Sequence, residues 1–382
     1  MVYKKLLCCV SLCFLPSCTS ITNTATAPAQ LNDSLKQTLV LLPDNFENLP
    51  PSLKENEIIF LGEIHKMPHL YLAASRLAIY LANHRPVVYA SECDYGYSPF
   101  MEAASLGNPK SAIFKSWANK PIRIDEVIQK FNSGQTADRK ILITAIDIEH
   151  SIYHTKSDTV LVLQDLANRS ASGTASQAIN KKIIQLTAQD TYDKMNCHLK
   201  ELKKVFLQHL NTFSPEDRDE ILFSMELIIA SNHYHYIKED WQKGFDIRYP
   251  YFKKTIERAY RKAQKRKAIL LCRVGSWHAA LDNRSEAKYF AKRYSETKGK
   301  VATINMVPLY YDACEKNDIV PEGQNDIDSI VKVLMKDYKY SYLSLSDLQK
   351  NTNNSLKWSK YYINNGPKYD GLLFVKIKKN SN

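Results

Sequence analysis

The sequence predicts an α/β fold with a mainly parallel sheet flanked by helices. Short apolar runs rich in β-branched residues alternate with stretches of helical periodicity, the pattern of strands joined by crossover helices. Four of the runs end in Glu, His or Asp, as strands do when they deliver side chains to one edge of a sheet. A hydrophobic content of 44% over 382 residues supports one large core, and 24% charged residues with 11 Gly and 15 Pro exclude a disordered, collagen-like or coiled-coil chain. No internal apolar run approaches the roughly 18 to 20 residues that cross a bilayer, which excludes a polytopic membrane protein.

The front end is read first. Lys4 and Lys5 precede an apolar segment, Leu6 to Leu15, which closes on Leu15-Pro16-Ser17-Cys18. This is a secretory signal, 1–17. The closing tetrapeptide resembles the lipobox of bacterial lipoproteins, which implies acylation of Cys18 and a membrane anchor. Residues 18–45 are then expected to be the lipidated cysteine and a flexible tether, rich in Thr, Ala, Asn and Ser at its start. The expected location is outside the cytoplasm, on the outer membrane if the cell is Gram-negative, since Thr19 rather than Asp follows the cysteine.

Residues 46–382 are expected to form a single α/β domain. The expected strands are 58–61, 86–90, 141–146, 268–274, 301–307 and 372–377. Leu70, Ala73, Leu77, Tyr80 and Leu81 share one face of a helix over 68–83. Ser214-Pro215-Glu216-Asp217 starts another helix, Pro250 opens one carrying Phe252, Ile256, Ala259 and Ala263, and 285–297 is a further helix. The stretch at about 176–267 is expected to be an all-helical insertion or cap. Cys93, Cys197, Cys272 and Cys314 are widely spaced with no CxxC pair, so they form no disulfide framework or zinc knuckle; two of them are free to pair in an oxidising compartment, and the spacing does not say which.

The chemistry-bearing residues fall at strand ends. The first strand runs into Gly62-Glu63-Ile64-His65, the second into Ser91-Glu92-Cys93-Asp94, the third into Asp147-Ile148-Glu149-His150, and a late one into Gly275-Ser276-Trp277-His278. In open α/β sheets ligands bind beyond those ends. Taken singly, each polar residue is an ordinary turn or cap; four together point to one shared site. A histidine steadied by a carboxylate takes a proton from water, and a second histidine polarises a carbonyl or protonates a leaving group. No Gly-x-Ser-x-Gly elbow is present to supply a serine nucleophile.

Two Gly-x-x-His motifs, Gly62 to His65 and Gly275 to His278, with a strand-terminal glutamate between them, resemble the superfamily of erythromycin esterase-like hydrolases, ChaN-like haem-binding lipoproteins and Tiki-type metalloproteases. Phe60-Leu61-Gly62-Glu63-Ile64-His65 followed by Glu92-Cys93-Asp94-Tyr95 is most similar to the esterase-like branch, and Asp246-Ile247-Arg248 is similar to its Arg-containing segment. The resemblance runs over roughly 55–300, with the first block its specific part; Lys66 stands where that family has a small or acidic residue. It implies Glu63, His65, Glu92 and His278 as the functional set, joined by Arg248 and Asp147 at the same crevice. The expected activity is hydrolysis of an ester or related carbonyl bond in a small-molecule or peptide substrate.

Two alternatives remain open at this point. His65, Glu92 and His278 make a two-His-one-carboxylate set suited to a divalent metal, as in a Tiki-like protease. A ChaN-like haem carrier without turnover would use Tyr95, Tyr97 or His69 as an axial ligand. The pairs His65/His69, His150/His154 and His233/His235 have ligand-like spacing but read as ordinary polar histidines. Ten Lys or Arg between Lys243 and Lys267 read as a solvated helix face, with anionic lipid as the functional alternative, and no nucleic-acid partner is expected. Since one residue carries every acyl chain, Cys18→Ser should move the protein from the membrane to the soluble fraction with its fold intact. A mutant that still pellets with membranes in high salt would contradict the lipobox.

Overall fold

A computed structural model describes residues 28–107, 126–148, 158–186, 191–237, 239–311, 327–352 and 368–378. The signal segment, Cys18, Glu149, His150, His154 and Cys314 lie outside them. The strands are β1 (Leu39–Leu42), β2 (Ile58–Glu63), β3 (Val87–Asp94), β4 (Leu142–Asp147), β5 (Ile269–Gly275), β6 (Val301–Tyr311), β7 (Tyr340–Ser344) and β8 (Gly371–Lys378). They make one sheet in the order β1-β7-β8-β6-β2-β5-β3-β4, with 13 α-helices among the described residues. The pairings along β8-β6-β2-β5-β3-β4 are all parallel, and β7 runs antiparallel to both β1 and β8.

The α/β alternation follows from period-two burial. In β2, Ile59 and Leu61 enter one apolar layer, together with Leu70, Ala73 and Leu77 of α2 (Pro68–Ala82). Ile58 and Phe60 enter the layer on the opposite face, with Phe252, Ile256, Ala259 and Ala263 of the long helix Trp241–Lys265. A strand covered on both faces reads as a continuous apolar run, which is why Ile58-Ile59-Phe60-Leu61 was legible. No described helix is long and apolar enough to cross a membrane.

Four expectations are corrected. The stretch 28–45, assigned to the tether, carries a helix, α1 (Pro28–Thr38), and β1. Leu35 and Leu42 are buried, and β1 pairs with β7 through Leu39↔Leu343 to Leu42↔Tyr340. The helix expected to open at Pro250 opens at Trp241 instead. Asp240 caps it by accepting the Lys243 N–H, and Pro250 sits inside, costing one backbone bond that the packing of the following turns offsets. The helix expected over 285–297 spans only Glu286–Lys292; Arg293 N–H bonds to Tyr289 O, and turns follow. The helices between β4 and β5 begin at Asp158, ahead of 176, and the last of them lies against the sheet. The helix start at Ser214 is found, with Ser214 Oγ accepting the Asp217 N–H.

The described cysteines are free: Cys272 is buried in β5, Cys93 is half-buried and Cys197 exposed. Burial pushes the Cys93 thiol up to about 12, so it is inert at neutral pH. Phe60 is fully buried and its ring centroid lies 5.9 Å from that of Phe290. Phe60→Ala should lower the unfolding free energy by about 3–5 kcal/mol. A chemical-denaturation midpoint unchanged from wild type would show that this layer does not hold the sheet.

Candidate active site

The four strands with polar ends are contiguous: β2, β5, β3 and β4 stand side by side. Glu63 ends β2 and is buried. The chain then turns through Lys66, whose φ of +66° is left-handed, and the Lys66 N–H donates to the Tyr71 hydroxyl at 2.8 Å. That turn sets His65 beside Glu63, with Nδ1 3.3 Å from Oε1.

Glu92 owes its direction to a β-bulge. Ser91 pairs with Ala145 and Asp94 with Asp147, so Glu92 and Cys93 together oppose the single Ile146. The extra residue re-aims the side chain across the strand ends. Glu92 Oε2 accepts the Gly275 N–H at 2.6 Å and lies 3.8 Å from His65 Nε2. Glu92 Oε1 accepts Arg248 Nη2 at 2.6 Å and lies 3.5 Å from His278 Nε2. One carboxylate therefore stands between both imidazoles. Gly275 keeps the contact close: a Cβ there would meet His65 Nε2 at 3.0 Å, so the imidazole would have to shift.

Arg248, on the helix Trp241–Lys265, grips Asp147 with two bonds, Nε to Oδ1 at 2.9 Å and Nη2 to Oδ2 at 2.5 Å. Asp147 is 1% exposed, and its charge with that of Glu92 holds the Arg248 guanidinium firmly protonated against the opposing pull of burial. His278 sits in the short turn of helix Ser276–Ala279, with Nδ1 2.7 Å from Oε2 of the fully buried Glu286. The six expected site residues, Glu63, His65, Glu92, Asp147, Arg248 and His278, are thus brought together. Sequence reasoning missed Glu286: after Ser285, which caps the helix Glu286–Lys292, it reads as an ordinary first-turn acid. It also missed Arg273, whose Nε lies 3.7 Å from Glu63 Oε2 and whose guanidinium covers the Tyr71 ring at 4.1 Å.

The two histidines differ in exposure and cause. The His65 side chain is 53% exposed, and the hydrogen bond to Glu63, with the charge of Glu92, raises its pKa above 6.5. His278 is buried, which alone would lower its pKa; the bond to Glu286 and the charges of Glu286 and Glu92 outweigh burial and raise it.

A metal ion does not fit these residues, and Tyr95 does not fit as a haem ligand. Among the described residues no three His, Cys, Asp or Glu are arranged to hold a metal ion. Glu92, the central ligand of that alternative, already spends one oxygen on a guanidinium and the other on a backbone N–H. For haem, the Tyr95 hydroxyl donates to Glu220 and accepts from Arg258, its ring is buried against Phe223, and burial raises its pKa well above 10, against the phenolate a haem iron would need. Tyr97 and His69 are half-buried and each has a partner of its own. The basic run is also used internally: Arg258 pairs with Asp219 and Glu220, Arg261 with Glu296, and Lys262 with Glu102.

No family model and no curated protein matches the sequence. The fold does match solved structures. A Bacillus cereus protein aligns at TM-score 0.63 and 11% identity over 92% of this chain and 97% of that one. A succinoglycan biosynthesis protein aligns at 0.62 and 12%, over 92% and 97%. A histidine-to-asparagine mutant of erythromycin esterase EreC, in its open conformation, aligns at 0.58 and 12%, over 88% and 97%. The erythromycin esterase-like fold expected from the Gly-x-x-His motifs is the fold found.

The His278–Glu286 pair predicts a titration. The folded His278 pKa lies above the unfolded 6.5, so the stability that His278 gains from its carboxylates is present below pH 6.5 and is lost as pH rises through the folded value. Burial raises the Glu286 carboxyl and so brings its protonation, which undoes the pair, nearer on the acid side. NMR of the imidazole should place the midpoint above 6.5, and Glu286→Gln should move it down. A midpoint that does not move would mean that Glu286 does not hold the proton.

Proposed function

We propose that this chain is a hydrolase that cleaves an ester or related carbonyl bond with water activated by His65. The observation that supports it most directly is the position of Glu92, fixed by Arg248 and the Gly275 N–H and lying 3.8 Å from one imidazole and 3.5 Å from the other. Such a pair of histidines, one exposed and one buried on its own carboxylate, divides the work of base and acid.

In this reading Glu63 accepts the His65 Nδ1–H, which leaves the Nε2 lone pair for a proton from water. The hydroxide so formed adds to the carbonyl carbon. His278, with Nδ1 held by Glu286, presents Nε2–H to the oxyanion and gives its proton to the departing alkoxide as the carbon–oxygen bond breaks. The proton held by His65 then passes through water to His278 Nε2, so both imidazoles regain their starting states as the acid and the alcohol leave. Arg248 and the Gly275 N–H hold Glu92 between the two rings, so that the developing imidazolium charge is met by a fixed carboxylate. Likeness of fold to an esterase agrees with this reading as analogy only, because a fold carries no activity by itself. Acylated on Cys18, the protein would work at a membrane surface on a small-molecule or peptide ester.

Individual losses should be large and should not multiply. His65→Ala, Glu92→Gln and His278→Ala should each lower kcat/KM by roughly 10²–10⁴ on a panel of simple esters, with the double histidine mutant hardly worse than either single. His209→Ala, at the end of a helix away from the sheet, serves as the control. The rate should rise with pH through the His65 pKa, above 6.5, and fall again as His278, whose pKa is also raised, loses its proton, because the base must be neutral and the acid protonated. Defects that multiply would make the histidines independent. Stoichiometric haemin binding with no turnover on any ester would sink the hydrolase reading altogether.

A further inference from the structure

Exposed apolar side chains stand beside both histidines. Ile64, 48% exposed, precedes His65, and Trp277, 38% exposed, precedes His278. Tyr310, 40% exposed and near the end of β6, places its hydroxyl 3.7 Å from the sulfur of Met67 in the same turn region that carries His65. Exposed large apolar groups beside functional polar residues mark a candidate binding surface.

Trp277 is braced. Phe245 meets it edge-on, centroids 5.3 Å apart, and stacks on Tyr249 at 5.0 Å. The Lys253 ammonium lies 4.2 Å from the Tyr249 ring centroid, and the Tyr249 hydroxyl donates to the Ser285 carbonyl at 3.4 Å. Trp277 in turn meets His278 edge-on at 5.1 Å. Phe245 and Tyr249 flank Arg248 on one helix, so the same helix presents the guanidinium and the aromatic brace. A ring so supported offers a rigid flat face with little entropy to lose on contact.

The charges on the Trp277 side of the site are paired with one another: Arg248 with Glu92 and Asp147, and His278 with Glu286. A charged substrate would have to compete with those pairs. An uncharged one would not.

Resting on the hydrolase reading, we propose that Trp277, braced by Phe245 and Tyr249, is the subsite for a ring-bearing apolar part of an uncharged ester. Binding there holds the substrate through a group remote from the reacting carbon, beside the histidine that meets the carbonyl oxygen.

A ketone with no bond to hydrolyse tests the subsite apart from turnover. 4-Phenylbutan-2-one, titrated by calorimetry against the full chain, should bind more tightly than butan-2-one. Trp277→Ala should weaken the phenyl ketone about tenfold, Trp277→Phe should retain most of the affinity, and Phe245→Ala, which removes the brace and leaves Trp277 in place, should weaken it in the same direction. Leu207→Ala, on an exposed helix position, should change nothing. In turnover, Trp277→Ala should lower the preference for ethyl 4-phenylbutyrate over ethyl acetate about tenfold. Equal binding of the two ketones by wild type, or undiminished phenyl-ketone binding by both Trp277→Ala and Phe245→Ala, overturns the subsite even if esters are cleaved. Ketone binding that depends on Trp277 with no ester cleaved leaves the subsite standing and removes the hydrolase reading.

Discussion

The arrangement depends on one guanidinium. Asp147 and Glu92 end neighbouring strands and both are withdrawn from water, so two anions face each other where solvent cannot screen them. Arg248 bonds to both, and it does so from a helix that the chain reaches 101 residues after Asp147 and 156 after Glu92. The pair is weak evidence of net stability, because desolvation offsets much of the attraction. Removing the arginine alone would leave two buried charges, at a cost of about 3–5 kcal/mol. That asymmetry pins the helix Trp241–Lys265 to the sheet in one register and fixes where the phenyl rings on either side of Arg248 can stand.

Strand order then decides which groups meet. β5 enters late in the chain, yet it inserts between β2 and β3, placing Gly275 between His65 and Glu92. Its N–H bonds Glu92 from the backbone, a donor that only proline at 275 would remove. Its missing side chain lets the imidazole come close. The bulge in β3 completes the geometry by turning Glu92 toward that gap. Three local departures from regular strand, the left-handed Lys66, the bulge at Glu92 and the crowded Gly275, occur at the same edge. Conformational cost is concentrated where the chemistry needs side chains re-aimed.

Much of this was legible in the sequence, and the physical reason is simple. A buried strand announces itself as an unbroken apolar run, so the first polar residues after it are the ones at the sheet's edge; Glu63, His65, Glu92, Asp147 and His278 were found in that way. Arg248 came instead from its likeness to a family segment. β1 and β7 were missed because each is short: Tyr340-Ser341-Tyr342-Leu343-Ser344 alternates with serine, and Ser341 is nonetheless fully buried. Glu286 left no signal of its own. A glutamate after a helix-capping serine is expected on dipole grounds alone, and only the fold shows that it is buried against His278. Arg273, inside β5, was hidden for the opposite reason, because a charge within an apolar run reads as a strand-edge residue until its partner is known.

The second carboxylate oxygen of Glu63 shows how that hidden arginine matters. Oε2 is buried without a hydrogen-bond partner, and so is the facing Nε of Arg273, 3.7 Å away; the guanidinium gives its closest bond to Ser91 Oγ instead, at 2.5 Å. Buried polar atoms are normally satisfied, and such exceptions gather at working sites. Had Arg273 closed a two-bond grip on Glu63, as Arg248 does on Asp147, the carboxylate would be drawn toward the strand and would compete poorly for the His65 proton. At 3.7 Å the cation stabilises the anion and leaves Oε1 directed at the imidazole. The same residue types are thus set at two different distances, a tight clamp where position must not change and a loose one where a proton must be held.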